Sequence, residues 1–382
     1  MKAALEAVCR HHDGLRLQFI EKNGSVIQRY AEPGPAPHFE IMDLRGNDTA
    51  TLRMTAHMNA LQSGMNLEKA ELVKAAVYRL DEGDRLFISV HHLVVDAFSF
   101  RILLEDLNTA YSQSVRHRDI GLLPKTSSFR TWAEEIQEYA HSDALDTEKA
   151  YWRRIAKRPP SPLPSDFGPG ENTRQQAKSV HGELSDEETA YLLTHAHRAH
   201  DTQADDLLLA ALARAAGAWT GEKQVAVFRA VHGREPIADD VDVSRTVGWF
   251  SGMCPILFTL PDPKNTGRLI VDTRDELRKI PRSGIGYGLL RYIRKDRELF
   301  RASGIFKYKL AEDAFYFGDS SKVIQDSLVG NRLIYKNKRG TVEAEGRFNL
   351  GEGLKYISVD AAGTAASACT SPQDTVKFRA GS

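Results

Sequence analysis

Residues 91–97 read His-His-Leu-Val-Val-Asp-Ala and directly follow the apolar run of residues 86–90, Leu-Phe-Ile-Ser-Val. The apolar run predicts a buried strand that carries two imidazoles at its end, and apolar residues at helical spacing over 98–111 predict that a helix follows. Histidine has an unperturbed pKa of about 6.5, so it accepts and returns protons near neutral pH. The leading functional hypothesis is therefore proton transfer by a histidine that projects from a strand end into a cleft.

The composition is that of an ordinary globular protein with no bias in charge. The chain has 382 residues, and its 51 Lys and Arg balance its 51 Asp and Glu. This length allows two lobes with separate cores, and the balanced charge does not favour nucleic acid or an anionic membrane as a partner. No apolar stretch is long enough to cross a membrane. Residues 1–8 predict an amphipathic helix and not a signal peptide.

The three cysteines, Cys9, Cys254 and Cys369, lie far apart in the sequence. Their spacing predicts neither a metal site nor a disulfide framework, and it fits a reducing compartment. We therefore expect a cytoplasmic protein that holds no metal and binds neither nucleic acid nor membrane.

Hydrophobic periodicity predicts helices and strands in both halves of the chain. In the first half, the pattern predicts helices over 1–12, 47–63, 98–111, 128–140 and 145–156, a hairpin over 15–30 around Asn23-Gly24, and strands over 72–80 and 86–90. In the second half, it predicts strands over 177–184 and 223–230 and helices over 185–199, 204–218 and 268–279.

A segment rich in Pro, Ser and Gly separates the two halves. Residues 158–176 predict a linker between lobes. We therefore expect a first lobe over 1–157 and a second lobe over 177–382. The last residues, 361–382, are small and polar, and this composition predicts a disordered tail.

Residues 91–107 resemble the His-His-x-x-x-Asp-Gly signature of the condensation-domain superfamily of nonribosomal peptide synthetases. Later blocks at 123–129, at 232–236 with 243–250, and at 284–292 resemble the epimerization-domain branch. Any one block is a weak signal, but the blocks follow the family's order and together span most of the first 320 residues. The resemblance implies an α/β fold of two chloramphenicol-acetyltransferase-like lobes that form a V with a central tunnel.

The resemblance also implies an activity. Epimerization domains act on an aminoacyl or peptidyl residue held as a thioester on the phosphopantetheine arm of a carrier protein. They remove the α-proton and return it on the other face. Carried over residue by residue, His92 is the expected catalytic acid/base and Tyr316 a second site residue, whereas Asp96 and Arg234 hold the motif in place. His91 is expected to be structural, because adjacent strand residues point to opposite faces.

The implied partners are the carrier protein and the neighbouring synthetase domains, and no cofactor is expected to bind directly. The chain departs from the family pattern at three positions: Ala230 and Phe315 replace a glutamate and an asparagine, and Ala97 replaces the motif glycine and is expected to narrow the tunnel. The strand and helix that usually open and close the family's fold are absent from the sequence, so we expect a first lobe truncated at its start.

These departures leave three functions open. Inversion needs a proton acceptor on one face of the α-carbon and a donor on the other, so Ala230 predicts an epimerization-type domain with impaired activity. A condensation-type acyltransferase is the first alternative, because a single histidine that orients an amine does not need the glutamate. A non-catalytic carrier-docking module is the second. His232 is a candidate substitute acid or an ordinary loop histidine.

Two further patterns have ordinary structural explanations. The glycines Gly284, Gly286 and Gly288 lack the Lys-Ser/Thr ending of a phosphate loop and do not predict a nucleotide site. The basic residues between Arg153 and Arg158 predict a solvated helix face or, alternatively, a docking patch for an acidic carrier protein.

Overall fold

The computed structural model describes residues 1–157 except Gly24 and Pro33, residues 184–302 except Pro263, and five short strands between residues 324 and 377. The first part contains α1 Lys2–His11, β1 Leu17–Lys22, β2 Ser25–Tyr30, β3 His38–Asp43, α2 Ala50–Ser63, β4 Val73–Leu80, β5 Gly83–Val90, α3 Ala97–Val115, α4 Phe129–His141, α5 Asp143–Asp146 and α6 Lys149–Ala156.

The second part begins after residue 183. It contains α7 Asp186–Thr194, α8 Ala204–Thr220, β6 Gln224–Val231, β7 Gly252–Thr259, α9 Thr266–Arg278, α10 Ile285–Gly288 and α11 Arg297–Ala302. The remaining strands are β8 Ile324–Val329, β9 Arg332–Asn337, β10 Val342–Arg347, β11 Tyr356–Ser358 and β12 Val376–Lys377. The predicted linker, most of the predicted strand 177–184 and most of the predicted tail lie outside the described residues.

A four-stranded sheet with the order β11-β5-β4-β3 forms the centre of the first half. Strands β4 and β5 are antiparallel, whereas β3 and β11 add to them in parallel. Successive side chains of β5 alternate between faces: Leu86, Ile88 and Val90 face a core with α1 and α3, and Phe87 faces a second core under α2. Helices on both faces of a mixed sheet confirm the predicted α/β class.

The predicted hairpin is confirmed. Strands β1 and β2 pair in antiparallel register from Leu17 opposite Tyr30 to Lys22 opposite Ser25. The turn residue Asn23 has a φ of 54°, in the left-handed region that asparagine tolerates better than most residues. Strand β3, by contrast, was not predicted.

The hydrophobic core of the second half is built around the antiparallel pair β6–β7, with α8 and α9 packed on it. Helices α4 and α6 also belong to this core, and Trp152 of α6 is completely buried there. Residues 129–156 therefore pack with the second half of the chain, whereas the sequence predicts them in the first lobe. In the described ranges, every helix is too short or too polar to span a membrane.

One segment, residues 242–250, connects the two halves. Val247 is buried in the core of the first half, and the backbone there approaches Gly14 so closely that a Cβ on Gly14 would lie 2.5 Å from the Val247 carbonyl oxygen. Ser127 donates its backbone N–H to the carbonyl of Asp242 at 2.8 Å. This connection places the segment against the turn that carries the two histidines.

Candidate active site

The turn after β5 presents the two histidines differently. The backbone N–H of Leu93 donates to Nδ1 of His91 at 3.2 Å, so one ring nitrogen of His91 is used to hold the turn. A short 3-10 turn begins at His92 and ends at Val94, and Val94 and Val95 are buried beneath it. Burial lowers the pKa of His91, and the neighbouring His92 adds to this effect. Both imidazoles are partly exposed.

Asp96 joins the turn to the second half of the chain. One carboxylate oxygen caps α3 by accepting the backbone N–H of Ser99 at 2.7 Å, and the other accepts the backbone N–H of Phe250 at 3.0 Å. The guanidinium of Arg234 lies 3.4 Å from the first oxygen. Burial lowers the pKa of Arg234, and the charge of Asp96 partly offsets the effect. A buried carboxylate requires such partners, because an unpaired charge is costly away from water.

Arg234 connects several segments at once. Its Nη1 donates to the carbonyls of Val243 at 2.6 Å and Thr246 at 2.9 Å, and its Nη2 donates to Oγ of Ser99 at 2.8 Å. The guanidinium carbon lies 3.9 Å from the centre of the Phe250 ring, within the range of a cation–π contact. Most of the donors of Arg234 are thus used inside the protein, which is the geometry of a residue that holds a site together.

Trp249 lies against the ring of His92. The two ring centroids are 4.8 Å apart, and the planes are inclined by 53°. Nε1 of Trp249 donates to Oγ of Ser251 at 3.0 Å, which fixes the indole. Trp249 lies in the 243–250 block, but it is not among the site residues predicted from the sequence. The only signal for it was its position between Gly248 and Phe250.

The two altered positions that the structure describes present methyl groups only. Ala230 is exposed near the end of β6, opposite Met253 of β7, and Ala97 is exposed at the first position of α3. An alanine at position 230 offers no group that can donate or accept a proton. Phe315 and Tyr316 lie outside the described residues, so the structure does not place them.

His232 contacts a buried carboxylate. The backbone N–H of Arg234 donates to Nδ1 of His232 at 3.0 Å, while Nε2 lies 3.5 Å from Oε1 of Glu235. The His232 side chain is 58% exposed, but that of Glu235 is 5% exposed, and neither of its oxygens accepts a hydrogen bond within the described part of the chain. Burial raises the pKa of Glu235. The burial of Glu235 is not evident from the motif block in which it lies.

A second polar cluster also connects the two halves, and no pattern in the sequence predicts it. Nε2 of the buried His12 lies 2.8 Å from one oxygen of Asp106, and Arg245 donates to the other oxygen at 2.5 Å. Arg245 also donates to Glu105 at 3.1 Å. His11, His12 and Asp106 are close enough to share a metal ion. However, both Asp106 oxygens are already bonded, and the positive charge of Arg245 opposes a second cation beside it.

Two glycines of the 284–292 block, Gly284 and Gly286, allow close packing. Gly284 has a φ of 101°, and a Cβ there would lie 2.4 Å from Sγ of Cys254. A Cβ on Gly286 would lie 1.9 Å from Oε2 of Glu148, a buried carboxylate that accepts hydrogen bonds from Tyr139 and Trp152. A negatively charged carboxylate at this position would repel a phosphate group.

The basic face of α6 is largely paired. Arg153 contacts Asp296 at 2.7 Å and Glu298 at 3.3 Å, and Lys157 lies 3.6 Å from Glu298. The side chain of Asp296 is buried and those of Glu298 and Lys157 are exposed, so this helix face combines one partly buried ion pair with surface ion pairs.

Comparison with known proteins assigns the chain to a family. The family model described as the condensation domain matches residues 1–319. The chain belongs to the condensation-domain family. It is 39% identical over 301 residues to surfactin synthase subunit 2 of Bacillus subtilis, and 36% identical over 295 residues to tyrocidine synthase 1 of Brevibacillus parabrevis. These matches cover 78% and 77% of the chain but only 8% and 27% of the two synthetases, so the chain spans a small part of the length of its curated relatives.

Solved condensation-family structures show the same fold. The epimerization domain from the third module of tyrocidine synthetase B is 34% identical, with a TM-score of 0.73 over 76% of this chain and 65% of that domain. The first condensation domain of the calcium-dependent antibiotic synthetase is 21% identical, with a TM-score of 0.62 over 78% of this chain and 68% of that one. The predicted resemblance to nonribosomal peptide synthetase domains is thus confirmed.

Proposed function

We propose that this condensation-family domain is of the epimerization type and acts on an aminoacyl or peptidyl thioester on the phosphopantetheine arm of a carrier protein. The observation that carries the proposal is the partly exposed His92 at the end of β5, on a turn that Asp96 and Arg234 tie to the second half of the chain. The higher identity to an epimerization domain, 34% against 21% for a condensation domain, supports this branch.

The proposed chemistry is a proton transfer at the α-carbon. The α-proton passes to an imidazole nitrogen of His92, and the electron pair of the broken C–H bond moves into the thioester carbonyl, which becomes an enolate. Protonation of the α-carbon then restores the thioester. A positioned base of this kind contributes roughly 10²–10⁴-fold to the rate. Tyr316 remains the proposed donor to the enolate oxygen, by resemblance alone.

Inversion of the α-carbon is the step for which this site lacks a proton-transfer group. A proton removed and returned by His92 comes back to the same face, and this gives exchange with retention of configuration. The opposite face needs its own acid, and Ala230 supplies none. We therefore propose that the domain exchanges the α-proton faster than it inverts the centre.

The test is α-proton exchange with deuterated water, measured by mass spectrometry on an aminoacyl thioester attached to a carrier protein. The wild type should incorporate deuterium, and His92→Ala should abolish the incorporation. His91→Ala is the matched control: it should lower stability, because the Leu93 N–H loses its acceptor, but retain exchange. Equal exchange in wild type and His92→Ala would overturn the role of His92.

A condensation-type reaction is the second candidate, because a single histidine is sufficient to orient an amine nucleophile and needs no acid at position 230, where the exposed residue is Ala230. Formation of an amide between a donor and an acceptor aminoacyl carrier, in the absence of α-proton exchange, would favour it. If neither reaction occurs but a carrier protein with its phosphopantetheine arm still binds, as seen by broadening of its NMR signals, a docking module is the better description.

A further inference from the structure

Trp249 is the large aromatic side chain that shares the exposed site with His92. It is 44% exposed, although burial of an indole is strongly favourable. Its ring centroid lies 4.8 Å from that of His92. An aromatic face within about 6 Å attracts a cation, and the indole of tryptophan does so most strongly.

The backbone on both sides of Trp249 is fixed to the turn that carries His92. Ser99 at the start of α3 exchanges two hydrogen bonds with Gly248: its hydroxyl donates to the carbonyl at 2.8 Å and accepts the N–H at 3.1 Å. On the other side, the N–H of Phe250 donates to Asp96 at 3.0 Å. The indole therefore has a defined position relative to the imidazole.

We propose that Trp249 is a positioning residue that stabilises the protonated form of His92. This inference rests on the proposed function, in which His92 becomes an imidazolium when it accepts the α-proton. The positive charge then develops beside the indole, so the attraction is stronger in the charged state than in the resting state. Such a difference accelerates the deprotonation step, because only interactions that strengthen toward the transition state lower the barrier.

Other ionisable groups surround the same turn. His91 precedes His92, and a charge on its ring would oppose protonation of His92. Asp96 and Arg234 lie at the start of α3 and in the segment after β6, and they largely neutralise each other through their ion pair. The aromatic face of Trp249 thus provides a stabilising contact that adds no charge of its own.

The indole also has an opposite effect that the experiment must separate. It covers part of the imidazole, and exclusion of water disfavours the charged form. Trp249→Leu retains an apolar cover but removes the aromatic face, whereas Trp249→Phe retains an aromatic face. The comparison of these two variants isolates the aromatic contribution.

The experiment is an NMR titration of the full chain with ¹³C-labelled histidine, in which the His92 signal is assigned by its loss in His92→Gln. Trp249→Leu should lower the pKa of His92 by roughly 0.4–1.5 pH units, the range that corresponds to a cation–π contact. Trp249→Phe should recover most of this change, and Trp219→Leu, which removes another exposed indole, should leave the pKa of His92 unchanged. An unchanged or raised pKa in Trp249→Leu would overturn the proposal.

A kinetic measurement complements the titration. The pH profile of α-proton exchange should have its rising limb at lower pH in Trp249→Leu, and its plateau rate should fall roughly two- to tenfold. If the wild type shows no exchange, the proposed function fails, but the NMR titration still decides whether Trp249 stabilises the His92 cation. If exchange occurs and neither the pKa nor the profile responds to Trp249→Leu, only the role of Trp249 is refuted.

Discussion

The carboxylate of Asp96 accepts the backbone N–H of Phe250 at 3.0 Å across 154 residues of sequence. The same side chain caps α3 and contacts Arg234, so one buried residue fixes the start of a helix and a distant loop. The turn that carries His92 therefore depends on contacts from the second half of the chain. A change at Asp96 is expected to affect the stability of the whole domain as well as the geometry of the site.

We predict that Asp96→Ala destabilises the protein by about 3–5 kcal/mol, because Arg234 is left as an uncompensated buried charge. The loss of the cap on Ser99 adds to this cost. Chemical denaturation monitored by circular dichroism measures the change. As a matched control, Glu134→Ala removes an exposed helical partner of Arg130 and should alter stability very little. Equal stability of both variants would show that the Asp96 contacts contribute nothing to folding.

The sequence predicts strands β4 and β5 and the β1–β2 hairpin because the relevant signals are local. The apolar runs of β4 and β5 and the turn after Asn23 each determine a structure within a few residues. Strand β3 was missed because none of its side chains is fully buried and its apolar residues Phe39, Ile41 and Met42 do not share one face. Its place in the sheet comes from pairing with β4 and not from local pattern.

The motif blocks were found in the sequence, but the contacts between them were not. Ser127 bonds to Asp242, Phe129 packs on Phe250, and Asp96 reaches Phe250, so blocks far apart in the chain meet around one loop. Periodicity carries no information about contacts of this range. For the same reason, the cluster of His12, Asp106 and Arg245 and the buried carboxylate of Glu235 became visible only in three dimensions.

The buried carboxyl group of Glu235 should make the stability of the protein depend on pH. Burial raises its pKa above the value in the unfolded chain, so the folded state is favoured while the group is protonated and loses that stability as pH rises through the folded pKa. We predict that Glu235→Gln is more stable relative to wild type at pH 8 than at pH 5. The difference between the two pH values should be about 1.4 kcal/mol for each pH unit by which the folded pKa exceeds 5.

Urea denaturation of both proteins at the two pH values measures this effect. His232→Asn in the wild-type background is an informative companion, because the positive form of His232 lowers the pKa of Glu235. Removal of His232 should raise the pKa of Glu235 further, so the stability of His232→Asn should fall more steeply with rising pH than that of the wild type. A constant difference between Glu235→Gln and wild type from pH 5 to pH 8 would mean that Glu235 does not titrate anomalously.

The dependence of stability on pH is expected to have the opposite sign for Asp106. Burial alone would raise its pKa, but the hydrogen bond from His12 and the charge of Arg245 outweigh burial and hold the pKa below its usual value. The stabilising contribution is therefore present above the unfolded pKa and is lost as pH falls through the folded pKa. We predict that Arg245→Gln is destabilised at pH 7 and that its disadvantage shrinks below pH 4.

Thermal unfolding from pH 3 to pH 7 provides the measurement. Arg268→Gln is a suitable control, because Arg268 makes an exposed ion pair with Asp272 one helical turn away. It should track the wild type at every pH. If Arg245→Gln and Arg268→Gln behave alike, the cluster with Asp106 does not connect the two halves energetically.

The last prediction concerns the acid that position 230 lacks. Ala230 is exposed near the end of β6, so a longer side chain is accommodated there without disturbing the core. We predict that Ala230→Glu raises the rate of D–L interconversion of the carrier-bound residue by roughly 10²-fold or more, the contribution of one general acid or base. Tyr316 is a poor substitute as a proton acceptor, since a tyrosine with a pKa near 10 is protonated at neutral pH. Chiral chromatography of the amino acid released from the carrier gives the rate.

Ala230→Gln is the matched control, because glutamine has the size of glutamate but cannot transfer a proton. It should leave interconversion at the wild-type rate, while α-proton exchange through His92 continues in both variants. Interconversion in the wild type that already equals that of Ala230→Glu would show that another group protonates the second face. His232 is then the next residue to test, because its exposed imidazole lies two residues after Ala230 and contacts the carboxylate of Glu235. No gain in Ala230→Glu, together with unchanged exchange, would instead implicate Ala97 as the obstacle and would leave a domain that exchanges the α-proton without inverting the centre.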